Sequence, residues 1–139
     1  MGSEVARPPQ LRARTKRFAL AAVRLISVPS KTEAGRIIGR QFLRSATSVA
    51  ANYRSAGRAR SRKEFGARIG VVLEEADESL FWLELLTEAE LLVAPQIDGL
   101  ISEATELVKI FSAAYRTASR TASRTLDPSA RSAFTRSPD

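Results

Sequence analysis

The stretch that decides the fold is residues 41–86, QFLRSATSVAANYRSAGRARSRKEFGARIGVVLEEADESLFWLELL. On both sides of its arginine-rich centre, apolar side chains recur at steps of three and four residues, which is the period of an amphipathic helix. Within the centre, Ser61 and Glu64 have the S-x-x-E spacing of a capping box, which begins a helix, and Gly57 suits the end of the helix before it. The stretch therefore predicts two helices joined by a short turn.

Outward from this hairpin, the same periodicity continues toward the N-terminus. It predicts a first helix that begins near Leu11 and ends before Pro29, because the proline ring cannot continue a helix. A second S-x-x-E box, formed by Ser30 and Glu33, is then expected to start the second helix near Lys31.

The periodicity also continues toward the C-terminus. The third helix is expected to reach about Leu92. Pro95 suits the first turn of a fourth helix, whose apolar periodicity ends after Tyr115. Four amphipathic helices with short links and no competing strand signal predict an all-α fold, an antiparallel up-and-down four-helix bundle. The predicted buried stripes are Phe18, Ala21, Ala22, Leu25, Ile26, Ile38, Phe42, Ala46, Val49, Tyr53, Ala56, Phe65, Ile69, Val72, Ala76, Leu83, Leu86, Ile97, Leu100, Ile101, Ala104, Leu107, Val108 and Phe111.

The bundle is expected to occupy residues 11–116 between two disordered segments. Residues 1–10 contain a proline pair and no periodicity, which is typical of a disordered arm. Residues 117–139 continue the Ser/Thr-rich repeat RTASRTASRT and then contain two more prolines, so they are predicted to form a basic, disordered tail.

Composition narrows the possible functions to binding, scaffolding or an unusual enzyme. The 139 residues fit one domain and contain neither Cys nor His, so disulfides, thiolate metal sites and the commonest general base are excluded. The acidic residues lack the Glu-x-x-His pairs of a di-metal carboxylate bundle, so neither a metal site nor another cofactor is expected. No apolar run is long enough to span a membrane, and the N-terminus does not resemble a signal peptide. These features predict a cytoplasmic protein that is not an enzyme.

The net charge of +7 conceals a strong polarity along the chain. Residues 1–70 carry 16 Lys and Arg against 3 Asp and Glu, whereas residues 71–111 carry 1 against 10. Such separated blocks favour either a polyanion partner or pairing of the blocks within or between subunits.

Part of this charge is predicted to pair across the hairpin. A turn centred near residues 59 and 60 places Arg44 opposite Glu75, Arg40 near Glu78 and Arg36 near Glu84, so these six residues are expected to form structural ion pairs. The same alignment places Tyr53 over Gly66 and Leu80 over Gly39, which gives the two glycines a packing role.

A second basic group has no acidic counterpart in this alignment. We call it the basic hairpin end, and it comprises Arg54, Arg58, Arg60, Arg62, Lys63 and Arg68. Arginine suits phosphate because its planar fork makes two hydrogen bonds at once, so these residues are candidates for binding nucleic acid, with Arg116, Arg120 and Arg124 as auxiliary contacts. The alternative is a solvated end that only aids solubility. Stacking aromatic residues are not interleaved with the basic ones, so specific base reading is not expected.

The third helix is predicted to be much longer than the first, so one small bundle cannot bury all of it. Phe81 and Trp82 are adjacent and face directions about 100° apart on the helix, so one of them is expected at a subunit interface. A homo-oligomer of cyclic symmetry would cover such a surface.

The hairpin resembles the bacterial four-helix bundle family first known from intervening sequences of large-subunit ribosomal RNA. The residues that carry the resemblance are Arg44, Ser45, Ser48, Val49, Asn52, Arg60, Ser61, Glu64, Phe65, Glu75, Ser79 and Leu80. The resemblance implies a homopentamer, supplies no catalytic residue, and extends to relatives that accompany a reverse transcriptase in diversity-generating retroelements and bind nucleic acid. Asn52 is interpreted as structural, bonding to backbone or across a helix contact.

Two hypotheses about function follow. The first is a non-enzymatic, oligomeric protein that binds RNA or DNA without sequence specificity through the basic hairpin end. The alternative is a scaffold or accessory subunit for a protein partner, such as a reverse transcriptase, without direct nucleic-acid binding.

Overall fold

The computed structural model describes residues 8–126, and in this range the chain forms four α-helices. They are α1 (Pro8–Ile26), α2 (Glu33–Ala56), α3 (Arg62–Glu88) and α4 (Ile97–Leu126). The range contains no strand, so the predicted all-α, four-helix fold is confirmed.

Each helix packs against the next one along the chain, and α1 also contacts α4. Phe18 of α1 meets Phe42 of α2 edge to face, with ring centroids 6.2 Å apart, and Tyr53 of α2 lies 5.4 Å from Phe111 of α4. The contact between α1 and α4 includes a charged pair as well. Arg14 donates two hydrogen bonds to Glu103, of 2.8 Å from Nε and 2.7 Å from Nη2, so a fork of hydrogen bonds joins the first helix to the last.

The core largely follows the predicted stripes. Most of the predicted positions are buried, from Phe18 in α1 to Phe111 in α4, and others such as Ile38 and Val108 are half-buried against the core. The prediction was wrong for Phe65, whose side chain remains 38% exposed. Phe65 lies in the first turn of α3, where it lines an open groove together with residues of α1 and α4.

The helix ends confirm one capping box and correct the other. Ser61 accepts a hydrogen bond of 3.0 Å from the Glu64 amide and begins the helix of Arg62–Glu88, as predicted. At the other box the cap is Thr32 instead of Ser30: its hydroxyl accepts a 3.0 Å bond from the Gly35 amide, so α2 begins at Glu33.

The third helix ends sooner than the periodicity predicted. Glu90 adopts a left-handed backbone conformation, with φ of 55°, and the Leu91 amide donates back to the Leu86 carbonyl at 2.9 Å. This bond satisfies a free carbonyl at the helix end and turns the chain away from the helix axis. The apolar residues after it therefore belong to the link that leads to α4.

The fourth helix is longer than predicted. It continues to Leu126, so residues 117–126, which were assigned to a disordered tail, are helical. Ala118 explains the extension, because it is buried and packs against Gly66 of α3: a Cβ on Gly66 would lie 3.5 Å from the Cβ of Ala118. The helix of Pro8–Ile26 also begins inside the segment predicted to be disordered. The remainder of the two predicted segments, residues 1–7 and 127–139, lies outside the described residues.

Candidate nucleic-acid interface

The turn between α2 and α3 is built by backbone bonds that leave its side chains free. The amides of Gly57 and Arg58 donate to the carbonyls of Tyr53 and Ser55 at 3.2 and 3.0 Å, which closes the end of α2. Four residues later Ser61 caps α3. The arginines of this turn are therefore not needed to satisfy backbone groups and project from its surface.

Glu64 is the acidic residue nearest in sequence to these arginines, and it is committed to the backbone. Its Oε2 accepts a 3.1 Å hydrogen bond from the Arg60 amide while its own amide donates to Ser61. This arrangement confirms that the Glu64 carboxylate stabilises the start of the helix. It is consequently not paired with a guanidinium at this end of the molecule.

All six side chains of the basic hairpin end are exposed to solvent. Within residues 8–126, none of them has a carboxylate within 4 Å, since the ion pairs there involve other residues. Six like charges thus share one end of a hairpin without counter-charges. Such a cluster repels itself and attracts a polyanion.

The structure places further cations from α1 and α4 beside this end. Arg12 lies close enough to Tyr53 to act on its pKa: burial raises the pKa of the phenol, and the positive charge of Arg12 acts in the opposite direction. Arg62 lines one groove together with Leu11 of α1 and Thr117 of α4. The exposed side chains of Arg116 and Arg120 flank Thr117 on α4.

The structure changes the predicted location of the auxiliary contacts. Arg120, assigned from the sequence to a disordered tail, is held together with Arg116 on a helix next to the basic hairpin end. The side chain of Arg124 lies outside the described residues. Arg12 was missed by the sequence analysis, although the predicted bundle would have brought the start of its first helix to this end.

The groove that Arg62 lines has a volume of about 480 Å³ and mostly apolar walls. Phe65 of α3 forms one wall, and residues of α4 form the opposite wall. The lining is Leu11, Arg62, Phe65, Ile110, Ala113, Ala114, Thr117, Ala118 and Thr121.

None of the three predicted ion pairs is present in the described part of the chain. Arg44 instead approaches Glu78 at 3.7 Å, and beside this pair Ser79 donates to Ser45 at 3.0 Å. The facing residues are therefore displaced by about one helical turn from the predicted alignment. Gly39 and Gly66 do not face the hairpin partner as predicted either, since Gly39 approaches Ile26 of α1 and Gly66 approaches Ala118 of α4.

Arg36 and Arg40 do not form the predicted pairs. In the described part of the chain neither arginine, nor Glu84, has an oppositely charged group within 4 Å. The guanidinium of Arg36 donates instead to the Ser30 carbonyl at 3.2 Å. Both arginines line a small cavity of about 210 Å³ beside the link between α1 and α2, far from the basic hairpin end.

The fold changes the pKa of the Glu75 carboxyl group. Burial raises this pKa, the neighbouring Glu78 carboxylate raises it further, and the charge of Arg44 acts in the opposite direction. The Glu75 Oε2 atom is buried, and residues 8–126 provide no hydrogen-bond partner for it. Asn52, on the facing helix, donates a 2.9 Å hydrogen bond to the Ser48 carbonyl, so its predicted bond to backbone is present.

The described residues contain no group of three acidic residues arranged to hold a metal ion. None of the four helices in this range is long and apolar enough to cross a membrane.

The family model of the 23S rRNA-intervening sequence protein matches residues 10–113, which include α2 and α3, nearly all of α1 and the first part of α4. The chain belongs to this family. The matched range contains the whole basic hairpin end, and the family resemblance of the hairpin is confirmed.

A solved structure shows the same fold. A crystal structure at 1.70 Å of a protein with unknown function from the S23 ribosomal protein family, from Bacteroides thetaiotaomicron, is 29% identical to this chain. The match covers 78% of this chain and 97% of that one, with a TM-score of 0.69. No curated protein matches the chain.

Proposed function

We propose that the protein is a non-enzymatic, oligomeric nucleic-acid-binding protein of the cytoplasm that contacts phosphates through the basic hairpin end. The observation that supports this most strongly is the absence of counter-charges: within residues 8–126, no carboxylate lies within 4 Å of the six cations. The exposed Arg12, Arg116 and Arg120 extend the same surface onto α1 and α4. Four helices therefore contribute positive charge to one end.

The chemistry of this surface suits phosphates more than base edges. Most of its cations are arginines, which bind phosphate oxygens in pairs, and the affinity that results does not depend on sequence. Neutralised phosphates release counter-ions, so binding of this kind weakens steeply as salt is added. A protein with this surface would bind along a strand or duplex wherever the backbone is accessible.

The experiment is a salt titration of binding to a labelled RNA and a DNA of the same length. We expect tight binding at low salt and a linear fall of log K with log salt. Changing Arg58, Arg60 and Arg62 together to Gln should reduce the slope by about one unit for each phosphate contact that is lost. The matched control changes Arg24, Arg36 and Arg40 to Gln, because they carry the same total charge beside the α1–α2 link.

The result that would refute the proposal is absence of affinity for either nucleic acid at low salt. In that case the scaffold for a protein partner, such as a reverse transcriptase, becomes the better hypothesis. Equal slopes for the two triple variants would also refute it, because they would show that total charge and not the basic hairpin end determines binding.

We also propose that the four helices form an up-and-down, antiparallel bundle. We further propose that five such chains assemble as a cyclic homopentamer. The support is a set of large apolar side chains that one chain leaves exposed, namely Leu20, Val23, Ile37 and Phe81. Phe81 is 49% exposed, and its ring lies 5.0 Å from that of the half-buried Trp82. A second copy could cover this aromatic pair.

Light scattering tests the assembly. A pentamer has five times the 15.2 kDa mass of the chain, and a stable species of 15.2 kDa at micromolar concentration would contradict it. Trp82→Ala should weaken both folding and assembly because its ring is partly in the core. Phe81→Ser should weaken assembly alone, because the ring is largely outside it.

A further inference from the structure

The groove beside the basic hairpin end contains an aromatic side chain and is surrounded by basic side chains. Phe65 is more than a third exposed and faces α4 across a space of about 480 Å³. Pockets that hold small organic groups have volumes of about 300–1,000 Å³ and are mostly apolar, with a few polar groups that fix orientation. The groove has this character, with Arg62 as its charged group.

Phe65 had been expected in the core, which is why the sequence offered no aromatic residue for contact with a base. The structure instead places its ring at the surface, three residues after Arg62 on the same helix. Residues three apart on a helix lie on neighbouring positions of its surface. A single turn of α3 therefore presents a flat apolar ring and a guanidinium side by side.

We propose that this groove binds an unpaired base of a single-stranded nucleic acid, which stacks on Phe65 while Arg62 holds an adjacent phosphate. The inference rests on the proposed function and adds a class of ligand to it. Charge complementarity favours this occupant: cations surround an apolar groove, and a nucleotide joins a flat, weakly polar base to an anionic phosphate. A wholly apolar peptide would leave those charges unpaired.

Base stacking explains how the protein could prefer single strands without reading sequence. Every base has a π face, and stacking on an aromatic side chain contributes to affinity whichever base is present. A base in a duplex already stacks on its neighbours and cannot enter the groove. The groove therefore selects for unpaired strands, while the basic hairpin end supplies the affinity that depends on phosphate.

The test compares ligands that differ only in their bases. Labelled oligo(dT) and oligo(rU) are each titrated by fluorescence anisotropy against an abasic oligomer of the same sugar, length and number of phosphates. We expect at least one of the two base-bearing strands to bind more tightly than the abasic oligomer, by about 5-fold to 150-fold for each stacked base. The strand that shows the gain identifies the type of nucleic acid that uses the groove.

Variants of Phe65 test whether the higher affinity for base-bearing strands depends on this ring. Phe65→Leu keeps an apolar side chain but removes the π face, so it should lower the affinity for the base-bearing strand to that for the abasic oligomer. Phe65→Trp offers a larger face and should raise the affinity for the base-bearing strand alone. The salt dependence of both variants should match that of the unmodified protein, since their phosphate contacts are intact.

Tyr115→Leu is the matched control. Its ring is 41% exposed, close to the exposure of Phe65, but it packs against Gly70 and does not line the groove. This variant should keep the full preference for bases. Circular dichroism and melting temperature establish that each variant remains folded.

Two outcomes would overturn the inference and leave the proposed function intact. One is equal affinity of the unmodified protein for the base-bearing and abasic strands. The other is an equal loss of base preference in Phe65→Leu and Tyr115→Leu. Absence of binding to every ligand would instead refute the proposed function itself.

Discussion

Ser79 of α3 donates its hydroxyl hydrogen to the hydroxyl oxygen of Ser45 in α2 across 3.0 Å, and neither residue is exposed to solvent. Ser45 donates its own hydrogen to the Phe42 carbonyl at 3.1 Å, and the Ser79 hydroxyl also lies 2.8 Å from the Glu75 carbonyl of its own helix, so two acceptors share its single hydrogen. The two buried hydroxyls meet only in the observed alignment of α3 along α2, so their contact favours that alignment.

The hydroxyl pair should therefore show energetic coupling. Ser45→Ala and Ser79→Ala should each lower the free energy of unfolding by about 1 kcal/mol, the usual net value of one hydrogen bond. The double variant should lose less than the sum, because the bond between the two residues is removed only once. Urea denaturation measures the three variants, and strict additivity would contradict the bond.

The two ion pairs that join helices should differ in strength. Arg14 and Glu103 share two short hydrogen bonds and are 21% and 29% exposed, so Glu103→Gln should lower stability by about 1.5–3 kcal/mol. Arg44 and Glu78 are 59% and 40% exposed and 3.7 Å apart, so Glu78→Gln should cost about 0–1 kcal/mol. Thermal melting at low and high salt distinguishes the two pairs. Only the contribution of the exposed pair to stability should become negligible at high salt. Equal costs for the two variants would contradict this assignment.

Replacing two helical glycines with alanine should change the stability of the protein in opposite directions. Gly99 has no other atom within 4 Å of where a Cβ would lie, so Gly99→Ala should stabilise the protein by about 0.5–1 kcal/mol. At Gly70 the new Cβ would lie 3.0 Å from the Tyr115 ring, so Gly70→Ala should destabilise it. Combining Gly70→Ala with Tyr115→Leu should reduce that cost. A gain in melting temperature for Gly70→Ala alone would show that the ring can move aside freely.

Replacing the residue in left-handed conformation after α3 with glycine should stabilise the protein. Glu90 has φ of 55°, a conformation that costs a residue with a Cβ roughly 1–2 kcal/mol. Glu90→Gly should therefore raise the unfolding free energy by about 1 kcal/mol, with Glu90→Ala as the control that removes the carboxylate but keeps the strain. Equal melting temperatures for the two variants would contradict the role of the backbone.

Glu75 should make stability depend on pH. Because the fold raises the pKa of this carboxyl, the folded chain holds a proton that the unfolded chain has already lost. Stability should consequently fall as the pH rises from the ordinary carboxyl pKa through the raised one. Glu75→Gln has no proton to lose and should remove this fall, whereas Glu88→Gln, an exposed position on the same helix, should retain it. An unchanged pH profile for Glu75→Gln would refute the assignment.

Features determined by neighbouring residues could be predicted from the sequence. The cap formed by Ser61 and Glu64 depends on residues three apart, and the buried stripes from Phe42 to Phe111 depend on helical period, so both appear directly in the pattern. The isolation of the basic hairpin end was also visible, because few acidic residues are near it in the sequence.

Features determined by contacts between helices could not be predicted in the same way. The assumed centre of the turn, near residues 59 and 60, placed Arg44 opposite Glu75, but the observed contacts of Ser45 with Ser79 and of Arg44 with Glu78 lie about one helical turn away from that alignment. The burial of Ala118 against Gly66 extends α4 through a repeat with few large apolar residues. Phe65 fits the apolar period and is nevertheless exposed, since period does not reveal that its ring borders an open groove between helices.

The distribution of charge along α3 has a consequence for the approach to a partner. Its first two turns carry Arg62, Lys63 and Arg68, whereas every ionisable residue from Glu74 to Glu88 is acidic. At about 1.5 Å per residue, this helix of 27 residues holds opposite charges at the two ends of a rod roughly 40 Å long. A rod of this kind is an electric dipole that rotates in the field of a polyanion, so the molecule would reach a nucleic acid with its arginines leading before any contact forms.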